Sequence, residues 1–165
     1  MLLRKIDKRR WDLDLTRSPW LPTGEFPASP LADLNTSYDS NLSVWLIDEK
    51  ESNVKEIVVA MASTRDHVDK FDYALFPESI LQDANIDIQI SPGDTAHVVA
   101  NQWHRHLVEL SASKLVSLAR LISERGSFYR AGEKDVKEWL EQAIERRSID
   151  PKKMNKKLKE VIRVV

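Results

Sequence analysis

The densest run of acid–base side chains in this 165-residue sequence is Arg65-Asp66-His67-Val68-Asp69-Lys70-Phe71-Asp72. On a helix Asp66 and Asp69 are neighbours, a spacing that lets two carboxylates hold Mg²⁺ together with phosphate oxygens. His97, His104 and His106 follow within a short stretch. A metal-dependent phosphodiesterase or nuclease would combine Asp66 and Asp69 with His104 or His106 as general base. On a helix His104 and His106 point about 200° apart and cannot reach one metal. In an extended segment both lie on one side. Against this chemistry stands the ordinary fate of such groups: aspartates at a solvated helix end or turn, histidines at the surface or hydrogen-bonded. No H-E-x-x-H pairing is present, and neither a metal nor a cofactor is expected. Ser111, Ser113 and Ser117 lack the sharp turn and oxyanion donors that acyl transfer needs.

Composition removes other chemistries. The chain has no cysteine, which excludes disulfides, thiolate zinc, iron–sulfur clusters and cysteine nucleophiles, and fits a reducing cytoplasm. Its four glycines, Gly24, Gly93, Gly126 and Gly132, are scattered, so no phosphate-cradling loop and no nucleophile elbow is expected. Met1-Leu2-Leu3-Arg4-Lys5 reaches charge after two leucines, unlike a signal peptide. No apolar run approaches the ~20 residues of a membrane span.

Charge is sorted along the chain. Residues 1–10 hold five cations against Asp7, and residues 151–165 hold six against Glu160. The total is −1, so the middle is ten charges negative, and basic ends flank an acidic body. Lys152, Lys153, Lys156 and Lys157 form the core of the basic tail, a candidate contact for an acidic protein face or for nucleic-acid phosphate. Residues 41–100 hold four cations and eleven anions and should repel phosphate. Nucleic-acid binding by the ends alone would be weak and salt-dependent.

The elements that must carry these groups follow from pattern. Residues 18–31 contain four prolines, which predicts an extended strap. Its Trp20, Leu21 and Phe26 are too apolar for a free linker, so it either covers the domain or docks a partner. Leu42–Ile47 and Asp72–Phe76 read as strands, as does the strictly alternating Ile86–Ile90. Val54, Ile57, Val58 and Met61 mark one helix face, and Pro77–Ala84 suits a short helix. Trp103, Leu107, Leu110, Leu118, Leu121 and Ile122 predict a long amphipathic helix over 102–125, with a break possible at Ser111, ended by Gly126. Helices are predicted at 133–146 and at 151–161, the latter with Met154, Leu158 and Val161 inward.

These elements predict an α+β fold, a small mixed sheet with packed helices and a helical C-terminal third. The expected division is a mixed domain over 1–126, with its strap at about 11–41, and a helical extension over 127–165 packed on it. With no complete catalytic constellation, the expectation is a non-catalytic, cytoplasmic adaptor or accessory subunit. It would bind another protein within a bacterial multi-component, defence-type system, through Trp20, Leu21 and Phe26 and through the tail lysines.

Overall fold

Leu2 and Leu3 are adjacent, and both are fully buried. Successive strand residues face opposite sides, so the strand they open must be covered on both faces. That strand, β1 (Leu2–Lys5), stands inside a six-stranded sheet of order β4-β5-β2-β1-β3-β6. Its other members are β2 (Leu42–Leu46), β3 (Phe71–Phe76), β4 (Asp87–Ile90), β5 (His104–Val108) and β6 (Ser127–Ala131). Six α-helices are present among the described residues: α1 (Ala28–Asp33), α2 (Val54–Ala62), α3 (Ser79–Asp83), α4 (Ala112–Arg125), α5 (Glu133–Glu145) and α6 (Lys156–Val161). The fold is α+β, with helices through its C-terminal portion. This computed structural model describes residues 1–13, 21, 25–37 and 39–162. None of the helices is long and apolar enough to cross a membrane.

The chain forms two compact units, each assembled from three stretches: 1–44, 72–90 and 105–129 in the first, 45–71, 91–104 and 130–165 in the second. In the first unit β1 pairs antiparallel with β3, Leu2 opposite Phe76 and Lys5 opposite Tyr73, and β4 pairs antiparallel with β5. Ser111 caps α4 by accepting the Lys114 N–H at 3.3 Å. This helix buries Leu118, Ala119 and Ile122 and leaves Ser113, Ser117, Arg120 and Glu124 exposed. Asp33 at the end of α1 accepts at one oxygen from the Asp7 N–H and the Trp11 indole, each at 2.8 Å. The indole is thus buried with its polar atom satisfied.

In the second unit α2 buries Ile57, Val58, Val59, Ala60 and Ala62 and packs against α5, which contributes Val136, Leu140 and Ala143. Asn53 fixes the entry to α2: its Oδ1 accepts the Asp48 N–H and its Nδ2 donates to the Leu46 carbonyl. Helix α5 ends with Arg147 at φ 57°. There the Ser148 N–H donates to the Ala143 carbonyl and the Arg147 N–H to that of Ile144, both at 2.9 Å. This is a Schellman ending with arginine where glycine is usual.

Four expectations are corrected. Residues 28–33 of the predicted extended strap are helical; Pro30 sits in the first turn of α1, where its missing N–H costs nothing. The long helix over 102–125 is instead a 3-10 turn (Ala100–Trp103), strand β5 and then α4, because pairing with β4 overrides a leucine spacing that happens to fit a helix. The 151–161 helix is split into a 3-10 turn (Pro151–Lys153) and α6, with Asn155 capping the second. Val161 then faces outward at 49% exposure and Ile162 inward. Finally, the predicted half-buried alternation of 86–90 is an edge strand on which Ile90 is 77% exposed.

Candidate functional site

Asp66 and Asp69 are both exposed, and each has a local occupation. Asp66 accepts from Asn155 Nδ2 at 2.6 Å and pairs with Lys157 at 3.6 Å, while Asp69 accepts the Lys70 N–H at 2.7 Å. His104 is buried edge-on against Trp45, with ring centroids 4.9 Å apart, and its Nδ1 bonds the Ser91 carbonyl. A carbonyl only accepts, so that nitrogen carries the proton. His106 lies in β5 opposite Gln89. Residues 104–108 are extended, so the pleat puts His104 and His106 on one side of the strand. Among the described residues no three His, Asp or Glu side chains are grouped as a metal ion would need.

Of the predicted partner-contact residues, Trp20 lies outside the described residues, and Leu21 and Phe26 are half-buried. The basic tail is better defined. Lys153 Nζ meets Asp94 at 2.5 Å. This hydrogen bond and ion pair hold the Asp94 carboxyl below its ordinary range and raise the Lys153 ammonium. Lys157 meets Asp66. Lys152 and Lys156 are exposed and have no ion-pair partner among the described residues.

The irregular run 94–97 lies beside 149–153. The Asp150 N–H donates to the Ala96 carbonyl at 2.8 Å, and His97 and Ile149 form an antiparallel bridge. The next two residues, Val98 and Val99, are exposed at 61% and 51%. They are not on a loose loop. Asn101 Oδ1 accepts the Thr95 N–H at 3.0 Å and its hydroxyl at 2.7 Å, and Asn101 Nδ2 returns a bond to the Thr95 carbonyl at 3.0 Å. The Ala100 N–H donates to His97 Nδ1 at 3.2 Å. Two aliphatic side chains are therefore held out in water by a buried polar clasp, beside a segment carrying Lys152 and Lys153.

The second unit also contains a cavity of about 30 Å³, which sequence reading missed. It is lined by Lys55, Glu56 and Val59 of α2, by Trp139, Gln142 and Ala143 of α5, and by His97, Arg146 and Ser148. His97 is 3% exposed. Burial lowers its pKa from the usual imidazole value, against the opposing charge of Glu56, so the ring is neutral at pH 7. Its Nδ1 accepts from Ala100, which puts the proton on Nε2. Glu56 Oε2 is buried and has no hydrogen-bond partner among the described residues. Lys55 Nζ donates to Gln142 Oε1 at 2.7 Å and stands 5.6 Å over the Trp139 ring. In the sequence Lys55 and Glu56 look like a solvated helix face; the faint signal was Trp139 at the edge of the packed side of α5, three residues after Val136 and four before Ala143.

No protein-family model, no curated protein and no solved structure matches this chain.

Proposed function

We propose that this protein is a non-catalytic adaptor, an accessory subunit working in the cytoplasm that binds another protein through the second unit. The observation that carries the proposal is the rigid exposure of Val98 and Val99 beside the lysine-bearing segment 149–157. Exposing two adjacent β-branched side chains forgoes their burial, worth about 1.5–3 kcal/mol for each such side chain fully buried. Fixing them with a buried hydrogen-bond clasp means a partner would meet a pre-organised surface and need not order it. Lys152 and Lys156 bring positive charge to the same segment, so the complementary surface is apolar with acidic residues around it.

Two features favour protein over nucleic acid. Aliphatic side chains gain nothing from phosphate. Asp94 and Asp66 pair with Lys153 and Lys157, which lowers the net positive charge the segment offers to phosphate. The expected test outcome is that affinity capture of the full chain from native lysate retains one protein with near-stoichiometric yield after nuclease treatment. Val98→Asp/Val99→Asp and Lys152→Glu/Lys156→Glu variants, folded by circular dichroism, should each lose it. Recovery of the chain alone, or release of the captured material by nuclease, overturns the proposal.

A further inference from the structure

We infer that β4 is a dimerisation edge: it pairs antiparallel with β4 of a second copy of this chain, joining two sheets across a two-fold axis at Gln89. β4 ends the sheet, so one row of its backbone N–H and C=O groups has no neighbouring strand among the described residues. Ile90 is 77% exposed, more than any other large apolar side chain among the described residues. Asp87 and Gln89 are exposed and Ile88 is half-buried. An edge of this kind is a template for another strand unless something blocks it.

The two edges of the sheet differ in how they are guarded. At β6 the Lys8 ammonium donates to the Phe128 carbonyl at 3.4 Å, and Tyr129 is stacked on Tyr73 with ring centroids 5.4 Å apart. That strand also carries Arg130. β4 has none of the usual guards. It contains no lysine, arginine or proline, and its four residues pair with Val108 to Arg105 in unbroken register, without a bulge. Its one charge, Asp87, stands at its first residue. On the neighbouring α3, Asp83 is answered by Arg125 at 2.6 Å, so the helix packed beside the strand adds little repulsion.

The strand's own pattern selects a second copy. A two-fold axis that extends a sheet runs perpendicular to it, so each face continues into the same face of the other copy. Paired residues must then share a face, which places the axis at a residue rather than between two. An axis at Asp87 would set two carboxylates opposite each other. At Ile88 it leaves each Ile90 beyond the end of the facing strand, and at Ile90 it leaves each Ile88 there. At Gln89 every isoleucine of the strand is used: Ile88 of each copy lies opposite Ile90 of the other, on the face that Leu107 also occupies. The two Gln89 amides meet at the axis, where each both donates and accepts. The two Asp87 carboxylates fall at opposite ends, about 13 Å or more apart. With β6 guarded, the association closes at two. The contact uses neither Val98 nor Val99.

The test is sedimentation equilibrium of the full chain at concentrations up to about 1 mM. Single-cysteine variants probe the register, since the chain has no cysteine of its own. The expected mass rises with concentration from 19.0 kDa toward twice that and no further. Ile90→Lys, at a position exposed enough to leave the fold intact by circular dichroism, should weaken the dimer about tenfold or more. Under mild oxidation Gln89→Cys should cross-link as a dimer, its two Cα atoms lying within reach of a disulfide, and Asp87→Cys should not. Val98→Asp/Val99→Asp should dimerise like the parent chain, which separates this contact from the adaptor surface. A monomer at every concentration, growth past two, a dimer undiminished by Ile90→Lys, or cross-linking as fast at 87 as at 89 overturns the inference. So does loss of the dimer in the Val98 and Val99 variant.

Discussion

Asn101→Ala removes three hydrogen bonds at once from a side chain that is 9% exposed: two accepted from Thr95 and one returned to its carbonyl. At about 1 kcal/mol net for each bond, the loss is about 3 kcal/mol. The Thr95 N–H and C=O have no alternative partner within the clasp, so the loss falls below this only if water enters. Space for water is limited, because Asn101 Oδ1 lies only 3.0 Å from where a Cβ on Gly93 would stand. For a chain of this size 3 kcal/mol corresponds to a fall in Tm of roughly 6–12 °C. Urea unfolding followed by tryptophan fluorescence, with thermal circular dichroism beside it, measures both quantities.

A second variant makes the reasoning stricter. Thr95→Val deletes the hydroxyl that donates to Asn101 and accepts the His97 N–H. The two substitutions share the 2.7 Å bond, so their separate costs should exceed the cost of the double variant by about 0.5–3 kcal/mol. Strict additivity, or a loss under about 1 kcal/mol for Asn101→Ala alone, would show that the clasp does not hold Val98 and Val99 in place.

Two further outcomes follow from the second unit. His97 is buried with a lowered pKa, burial being the larger cause and the Glu56 charge the opposing one, so the unfolded chain takes up the proton first as pH falls. Its contribution to stability is full above the ordinary imidazole pKa of about 6.5 and declines as pH drops below that; urea midpoints across this window should show the slope, and His97→Gln should flatten it. Arg147→Gly should raise stability by about 1 kcal/mol, since the Schellman ending puts a side chain where glycine avoids the left-handed penalty. A lowered urea midpoint would count against the ending as described.

Local pattern was legible wherever one stretch of chain decides its own structure. Val54, Ile57 and Val58 announce α2, and Leu118 and Ile122 announce the buried face of α4, because in both the helical period coincides with the face that packs. Trp103, Leu107 and Leu110 carry the same spacing by accident, and the strand β5 forms there because β4 pairs with it. β1 was invisible for a related reason. Four residues, Leu-Leu-Arg-Lys, show no alternation when both faces are covered, and their burial comes from strands distant in sequence. The cavity is the extreme case. Glu56, His97 and Arg146 lie in three separate segments, and each alone resembles a surface residue. Only the packing of α2 on α5, with 97 bridged to 149, makes them neighbours, so no spacing rule could have found them.

The sorting of charge, plain in the sequence, changes meaning once partners are named. Arg4 is spent within the first unit: it donates to the Ser43 carbonyl at 2.8 Å, and Asp33 acts on it electrostatically. Arg9 and Arg10 turn back on Asp7. In the tail, Lys153 and Lys157 answer Asp94 and Asp66 of their own unit. Much of the apparent polarity is therefore internal fastening, and what it fastens is the segment beside Val98 and Val99. Because Asp94 and Lys153 are exposed, their pairing is weak and screened by salt. A partner presenting a denser acidic surface can compete for Lys153 without unfolding anything, because the 96–150 hydrogen bond and the 97–149 bridge hold the segment independently of that ion pair. Recruitment of the tail lysines and retention of the fold are thereby separable, and this separation is what a docking surface built from charged residues requires.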